Sequence, residues 1–333
     1  MKQPFRFSIA FQSNKTPVEY QELAELVDQY SFDVVSVYND LLFQPALGPL
    51  ILMAQRLRRA QVGFAALNPY TLHPLEIAGQ AAVLDMVSGG KSYMGLVRGS
   101  WLDRLGLESK KSLQTLREAT LLIQHLLVQN PAAFEGQIFQ LAAGSTLNYT
   151  PLRPRVPVMI GTWGKLTARM AGEIADEIKI GGSSNPAMAT LLQTEISAGE
   201  AKSGRQPGSV GICLGAVTVV SEDREAARAL VRREAALYLP VVAELDPTLQ
   251  DPEWLQRIKE AAARSDYDYI SRQISDELLD KFAFAGNPKD IIRQVEKIIE
   301  VGASRVEFGT PHGLTSAEGI RLLGEQVLPY FKR

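Results

Sequence analysis

Several short apolar runs of this chain are followed at once by polar, small or aromatic residues. These groups are Asn39-Asp40, Asn68-Pro69-Tyr70-Thr71, Arg98-Gly99-Ser100-Trp101, Thr162-Trp163-Gly164-Lys165, Gly182-Ser183-Ser184 and Thr310-Pro311-His312-Gly313. Loops that only turn a chain need Gly, Pro, Asn or Asp, whereas these also carry carboxyl, hydroxyl, indole and ammonium groups. Such residues can bind an organic molecule if the fold brings them to one place.

The segment GTWGKLTARMAG, residues 161–172, has a glycine-bearing turn that opens a helix. Free backbone N–H groups and the positive end of a helix dipole suit a phosphate, and Lys165 would add a positive charge. The same pattern is also that of a tight strand-to-helix turn with a solvated lysine, and the sequence leaves both interpretations open. In GGSSNP, residues 181–186, a Ser or Asn that caps a helix is the favoured interpretation.

Other catalytic chemistries find little support in the sequence. The three histidines are widely separated and none lies four residues from another on a helix, so no metal site is predicted. His73 directly precedes Pro74 at a predicted helix start, which favours a structural role, and His125 lies in an apolar helix. There is no GxSxG motif. Cys213, in the apolar run VGICLGAVTVV, is predicted to be a buried, inert thiol. An organic, phosphate-bearing cofactor remains the best match.

Short apolar or β-branched runs alternate with helical segments along the chain, which predicts βαβ units around a parallel sheet. The predicted strands are 5–11, 33–38, 61–67, 91–96, 156–161, 176–181, 210–220 and 304–309. Eight such units predict an α/β fold of the closed (β/α)8 TIM-barrel type, with an open doubly wound sheet as the alternative. A barrel places its site where the strands end, and the polar groups described above follow those ends.

Two stretches exceed what a plain barrel needs. Residues 130–155 have short alternating runs around Gly136 and Gly144, which predict an inserted hairpin. Residues 241–286 are long and helical in pattern, which predicts a lid-like helical insertion rather than a connector. Neither has the character of a separate domain, so we expect a single domain over residues 1–333.

Composition limits the classes of partner. The 333 residues are 46% hydrophobic and 22% charged, and 35 basic against 37 acidic side chains give a formal charge of −2. No general attraction for nucleic acid or anionic membranes is encoded. The sequence shows neither a signal peptide nor an apolar stretch long enough to span a bilayer. We therefore expect a cytoplasmic protein whose partners are small molecules or further subunits.

The stretch NPYTLHPLEIAGQAAVLDMVSGGKSYMGLVRGSW, residues 68–101, resembles the bacterial luciferase-like superfamily. The resemblance extends to EYQELAELVDQYSFDVVSVYND, to YTPLRPRVPVMIGTWGKLTARMAGEIADEIKI and to the ending FGTPHGLTSAEGIRLLGEQVLPYF. It covers most of the chain, is weakest over 190–285, and is closest to the methylenetetrahydromethanopterin reductase-like branch. It implies a TIM-barrel oxidoreductase that uses coenzyme F420 or FMN, with the ring of the cofactor over the barrel mouth.

The resemblance also implies roles for individual residues. A non-prolyl cis peptide is expected against the ring at Ala66–Leu67, and Asn68 and Ser100 would line the ring. Thr162, Trp163, Gly164 and Lys165 would hold the phosphate. Asp103 would lie near the ring or the substrate, and Trp101 would be a further substrate-binding residue.

The chain departs from the family pattern after the second strand. Many members have an Asp-His pair there, and this chain has Asn39-Asp40. The imidazole that some deazaflavin enzymes place beside the reacting carbon is therefore missing. Asn39 and Asp40 become the catalytic candidates: Asp40 would handle the proton if burial raises its pKa, or would accept a hydrogen bond that selects a different substrate.

Three functions follow as hypotheses. The first is hydride transfer between F420 and a small organic substrate, favoured by the reductase-like C-terminal segment. The second is an FMN-dependent monooxygenase that uses reduced flavin and oxygen, and the third is a barrel without catalytic activity, with or without a bound flavin. Members of the family are usually dimers or tetramers, so the resemblance implies a homodimer or homotetramer.

Overall fold

Parallel β-strands close into a barrel in this computed structural model, which describes residues 4–249 and 251–332. Eight strands of the described part form the ring in the order β9-β11-β1-β2-β3-β4-β7-β8, and pairing of β8 with β9 closes it. They are β1 Arg6–Phe11, β2 Val34–Val37, β3 Gln61–Phe64, β4 Ser92–Leu96, β7 Val158–Gly161, β8 Glu177–Gly181, β9 Gly211–Val220 and β11 Arg305–His312. The predicted (β/α)8 barrel is confirmed, and the open sheet is excluded.

Helices surround the barrel. They are α1 Pro17–Asp28, α2 Leu47–Ala54, α3 Pro74–Val87, α4 Ser112–Leu127, α5 Lys165–Ile174, α6 Pro186–Lys202, α7 Arg224–Leu245, α8 Pro252–Ala263, α9 Tyr267–Arg272, α10 Asp276–Phe282, α11 Pro288–Glu300, α12 Ser316–Leu322 and α13 Leu328–Phe331, with a short 3-10 helix at Leu102–Leu105 and a π-helical turn at Leu323–Val327. Local sequence sets many of their starts: Thr16 caps α1 and Asn287 caps α11, each in a capping box with a proline at the first helical position. Within the described ranges, no helix is both long enough and apolar enough to cross a bilayer.

The main apolar core lies between the barrel and its helices. Outward-facing strand residues such as Ile9, Val35 and Phe308 are completely buried there. The inside of the barrel differs, because small and polar side chains alternate with these apolar ones. At Gly63 an added Cβ would lie 2.2 Å from the ring of Tyr93, so glycine makes room for that tyrosine to cross the interior.

The stretch 130–155 contains an antiparallel pair, β5 Phe134–Glu135 with β6 Gln140–Leu141. Glu118 of α4 anchors it: its carboxylate accepts hydrogen bonds from the backbone N–H groups of Gln137, Ile138 and Phe139 at 2.9, 2.7 and 3.0 Å. One buried acidic side chain thus anchors the hairpin, in addition to the packing of Phe134 and Phe139 against the main core.

The stretch 241–286 is helical, as its pattern predicted. It holds the end of α7, then α8, α9 and α10, and finally β10 Ala283–Gly286, which pairs with β9 beside the barrel. Arg228 of α7 is buried and donates to Asp280 at 2.9 Å and to the carbonyl of Ala285 at 3.2 Å. These bonds tie the inserted helices to the strand that supports them.

The non-prolyl cis peptide lies at Ala65–Ala66, one residue before the predicted Ala66–Leu67 bond. The prediction was displaced because β3 ends at Phe64 and not at residue 67. Ala65 N–H still donates to Val37 on the β2 side at 3.0 Å, whereas Leu67 N–H donates to Gly95 of β4 at 2.9 Å. The chain therefore leaves the strand path between these two residues. A second cis bond joins Thr310 to Pro311.

Candidate active site

Asp40 lies half-buried where β2 ends, at the C-terminal mouth of the barrel. The side-chain amide of Gln12, just beyond the end of β1, donates to Asp40 Oδ2 at 3.0 Å. Burial raises the pKa of the Asp40 carboxyl, and the hydrogen bond from Gln12 and the charge of Lys179 oppose part of that rise. Partial burial thus shifts the pKa of Asp40 in the direction that a proton-handling role would need, and that role stays a prediction.

Asn39 uses its side-chain oxygen inside the loop. Asn39 Oδ1 accepts a hydrogen bond from the backbone N–H of Ala46 at 2.9 Å, directly before α2. This bond shapes the loop that carries Asp40. Of the two catalytic candidates, Asp40 is the one whose functional group contacts a side chain that follows another strand, that of Gln12.

The loops that follow β3 and β4 are in direct contact. Leu67 and Asn68 are buried, and Ala66 is half-buried. Asn68 Oδ1 accepts from Tyr70 N–H at 2.8 Å, while its amide nitrogen packs on Gly99, where an added Cβ would lie 2.0 Å away. Gly99 also has a φ of +86°, which glycine adopts readily. The structure thus brings Asn68 against Gly99, the residue before the exposed Ser100.

Trp101 lies at the border between the β4 loop and the inserted helices. It adopts a left-handed φ of 57°, and its ring centroid is 6.4 Å from that of Tyr238 on α7. The guanidinium of Arg104 stacks over the indole at 5.5 Å. Asp103 is exposed on the 3-10 helix that follows. Burial raises the pKa of Tyr238, and the charge of the nearby Asp40 raises that pKa further.

The start of α5 has the features that a phosphate requires. No side chain caps it at Gly164, which is exposed and donates its N–H to Thr162 Oγ1 at 2.9 Å. The exposed side chain of Lys165 forms no ion pair with any residue that the structure describes. Uncapped N–H groups beside a free cation fit a phosphate-bearing cofactor.

The side chain of Trp163 contacts β8 and α10 rather than the start of α5. Its indole N–H donates to the carbonyl of Gly181 at 2.9 Å, and its ring stacks on Phe282 of α10 with centroids 6.5 Å apart. The side chain therefore faces β8 and the inserted helices. A contact of residue 163 with a phosphate would have to come from its backbone.

Two predictions about single residues are confirmed. His73 caps α3, with its Nδ1 accepting from Leu75 N–H at 3.1 Å, so its role is structural. Cys213 is fully buried, and burial raises the pKa of its thiol to about 12.

His312 is buried too, and burial lowers its pKa to about 4, so it is neutral near pH 7. In the described part of the chain, no group of three or more His, Cys, Asp or Glu residues is arranged to hold a metal ion.

Sequence reasoning missed a set of charged residues inside the barrel. Lys179 of β8 and Glu307 of β11 are buried and form an ion pair. Ser36 of β2 donates to Glu307 Oε2 at 2.6 Å, and the Lys179 ammonium lies 5.1 Å from the centre of the Tyr38 ring. The runs DEIKIG and SRVEFG could have revealed these residues, because their charged residues alternate with apolar ones. In a strand, such alternation places the charged side chains on the face opposite the apolar ones.

The family model described as luciferase-like monooxygenase matches residues 3–305 of the chain. The chain belongs to this family. A 5,10-methylenetetrahydromethanopterin reductase of Archaeoglobus fulgidus is 25% identical over 98% of this chain and 100% of that protein. An F420-dependent glucose-6-phosphate dehydrogenase of Microbacterium testaceum is 25% identical over 99% of this chain and 98% of its own length.

Among solved structures, the coenzyme F420 dependent tetrahydromethanopterin reductase from Methanopyrus kandleri superposes with a TM-score of 0.88 at 23% identity, covering 98% of this chain and 99% of that one. This likeness confirms the barrel fold. The resemblance seen in the sequence, and with it the prediction of a luciferase-like oxidoreductase, is confirmed by the family match.

Proposed function

We propose that this luciferase-like protein transfers a hydride between coenzyme F420 and a small organic substrate at the C-terminal mouth of its barrel. The observation that carries the proposal is Asp40, a half-buried carboxyl with a raised pKa that faces Gln12 at this mouth. The names of the F420-dependent relatives support the choice of cofactor.

The residues around the mouth supply binding groups for each part of the cofactor. The ring would lie against Ala66, Leu67 and Asn68 of the β3 loop and against Ser100 of the β4 loop, and the close approach of Asn68 to Gly99 supports this. The phosphate would be held by the uncapped start of α5, through Thr162, Gly164 and Lys165 and the backbone of Trp163. Trp101 and Asp103 would meet the substrate from the β4 loop.

When bound, F420 supplies or accepts a hydride, which is two electrons and one hydrogen nucleus. Reduction of the substrate also consumes one proton, and Asp40 is placed to donate it. In the opposite direction the Asp40 carboxylate accepts the proton that the substrate loses. Gln12 fixes the orientation of this carboxyl through its 3.0 Å hydrogen bond.

The test is the cofactor that the protein binds. Purified protein is titrated with F420 and, separately, with FMN, and the spectrum and mass of any retained cofactor are recorded. We expect saturable binding of F420 and two-electron turnover with a panel of alcohols, aldehydes and imines. Tight retention of FMN without any binding of F420 would contradict the proposal.

An FMN-dependent monooxygenase is the second candidate, favoured by the family to which the chain belongs. Oxygen uptake with reduced FMN and an aldehyde or amine, above the rate without protein, would support it. A protein that binds neither F420 nor FMN would be the third case, a barrel without catalytic activity.

A further inference from the structure

The hydroxyl of Tyr38 is a hydrogen-bonding group at the mouth of the barrel that the protein itself leaves unused. Tyr38 directly follows Val37, the last residue of β2, and no residue that the structure describes forms a hydrogen bond with its Oη. The side chain is half-buried, and Oη is not one of the fully buried polar atoms that lack a partner, so it is open to solvent. A phenol can donate one hydrogen bond and accept others, so Tyr38 has capacity left for a bound molecule.

The Tyr38 side chain points into the barrel and towards β11. Ser36, two residues earlier on the same face of β2, donates to Glu307 inside the barrel at 2.6 Å, and the Tyr38 ring lies 5.1 Å from the ammonium of Lys179. At Gly309 of β11 an added Cβ would lie 2.6 Å from Tyr38 Oη, so glycine makes room for the hydroxyl. Because Ser36 and Glu307 are completely buried, solvent reaches the hydroxyl from the mouth.

Several other polar side chains around the mouth already have partners within the protein. The side-chain oxygens of Asn39 and Asn68 accept backbone N–H groups, and the indole N–H of Trp163 donates to a backbone carbonyl. Burial raises the pKa of the Tyr38 phenol, so the hydroxyl keeps its proton at neutral pH. Tyr38 therefore offers a hydrogen-bond donor to a molecule bound at the mouth.

Tyr38 and Asp40 lie in the same sector of the mouth. Val37 pairs with Phe11 in the parallel register of β2 and β1, so Tyr38 lies beside Gln12, the residue after Phe11. Gln12 in turn donates to Asp40 at 3.0 Å. This sector belongs to β11, β1 and β2, whereas the groups proposed to bind the cofactor follow β3, β4 and β7, the next strands around the ring. The sector of Tyr38 and Asp40 is thus left to the substrate.

We propose that the Tyr38 hydroxyl donates a hydrogen bond to the substrate oxygen that receives the proton of Asp40. The inference rests on the proposed function and names its substrate class. Two donors on one atom suit a carbonyl oxygen, which has two lone pairs, whereas an imine nitrogen has one.

In the direction of reduction, the π bond of the carbonyl opens, its carbon gains the hydride and its oxygen gains the proton from Asp40. The electron pair of the π bond becomes the new O–H bond. Tyr38 keeps its own proton, and its hydrogen bond stabilises the negative charge that develops on the oxygen.

The test compares Tyr38→Phe with Tyr93→Phe, two changes that each remove one hydroxyl and keep the ring. Tyr93 is the matched control because its hydroxyl already has a partner, Ser36 at 2.8 Å in the interior. The probe is isobutyramide, an amide that presents a carbonyl oxygen and resists reduction. It is titrated with F420 present and, in a second series, without cofactor.

Fluorine NMR of protein that contains fluorotyrosine reports direct contact. The signal of Tyr38, assigned by its loss in Tyr38→Phe, is expected to shift saturably with isobutyramide. Isobutylamine, which has no carbonyl oxygen, should leave that signal in place. A Tyr38 signal that does not respond to isobutyramide in either series would overturn the inference.

Isothermal titration calorimetry is expected to show about fivefold weaker binding of isobutyramide to Tyr38→Phe than to wild type, the size of one neutral hydrogen bond. The free energy of unfolding should be unchanged in this variant, because no protein partner is lost. Tyr93→Phe should show the reverse, a lower stability and the affinity of the wild type. Equal affinities of Tyr38→Phe and wild type would refute the contact.

Binding of F420 separates this inference from the proposed function. If F420 does not bind but the cofactor-free protein binds isobutyramide through Tyr38, hydride transfer with F420 is refuted and the carbonyl site stands. If F420 binds and Tyr38→Phe changes nothing, the proposed function stands and Tyr38 makes no contact with the substrate.

Discussion

Asp40 combines two properties that a proton-transferring side chain needs, a controlled orientation and a pKa moved toward neutrality. The orientation comes from Gln12, and the pKa is raised by burial against the opposing effects of Gln12 and Lys179. Family members with a histidine here would use an imidazole. In this chain, burial raises the pKa of a carboxyl instead, and under the proposed function that carboxyl would be the acid.

Asp40→Asn is expected to lower kcat for hydride transfer about 100-fold, the smaller end of what general acid catalysis contributes. Affinity for F420 should be nearly unchanged, since an amide has the same shape. In the direction of substrate reduction the acid form is active, so wild-type activity should fall as pH rises through the raised pKa. Steady-state rates across pH check this, and a variant that keeps the same pH profile would exclude Asp40 as the donor.

Lys165→Ala is expected to weaken F420 binding by about 1.5–3 kcal/mol, the usual worth of a hydrogen bond to a charged group. The exposed Lys297, on the last turn of α11 at the opposite end of the barrel, is the matched control. Lys297→Ala should leave the dissociation constant unchanged. Equal constants for Lys165→Ala and wild type would make Lys165 a surface residue.

Each inserted element combines apolar packing with a buried charged side chain that anchors it. For the hairpin this residue is Glu118, whose carboxylate accepts three backbone N–H groups. Burial alone would raise the pKa of Glu118, but the amide of Gln114 and these N–H groups lower it overall. The ionised form is therefore the one that stabilises the folded hairpin.

Glu118→Gln is expected to lower the free energy of unfolding by about 1–3 kcal/mol at pH 7, because an NH2 donor replaces one of the two carboxylate oxygens that accept the backbone N–H groups. A lowered pKa gives stability that is present above the unfolded pKa and is lost as pH falls through the folded one. The difference between wild type and variant should thus shrink in the acid range. Urea denaturation at several pH values measures it, with Glu135→Gln, an exposed change in the same hairpin, as the control.

Local patterns of the sequence were sufficient to predict the strands and the helical insertion, because alternation and helical period depend on neighbours in the chain. The cis bond was misplaced by one residue, since its position follows from where β3 leaves the sheet. Tyr238 was missed for another reason: it lies on α7, about 200 residues from Asp40 in sequence, and becomes a neighbour of the site through the packing of the inserted helices.

At the scale of the whole molecule, the barrel is filled partly by ions where apolar side chains would be the usual filling. The sequence shows each charged residue, but the pairs join different strands: Lys179 of β8 meets Glu307 of β11, and Arg305 of β11 meets Glu177 of β8. These pairings depend on closure of the barrel.

Arg305→Met tests how much this filling contributes to stability. Arg305 contacts Glu177 and Glu307, and its guanidinium lies 5.4 Å from the centre of the Tyr93 ring. Removing it leaves buried carboxylates short of a partner, so the free energy of unfolding should fall by about 3–5 kcal/mol. Adding Glu177→Gln to this variant removes one of those carboxylates and should restore part of the loss. Urea denaturation of wild type, single and double variants gives the comparison. If the double variant is less stable than Arg305→Met, the loss of stability does not come from an unpaired carboxylate. Packing of the arginine against Tyr93 is then the larger contribution.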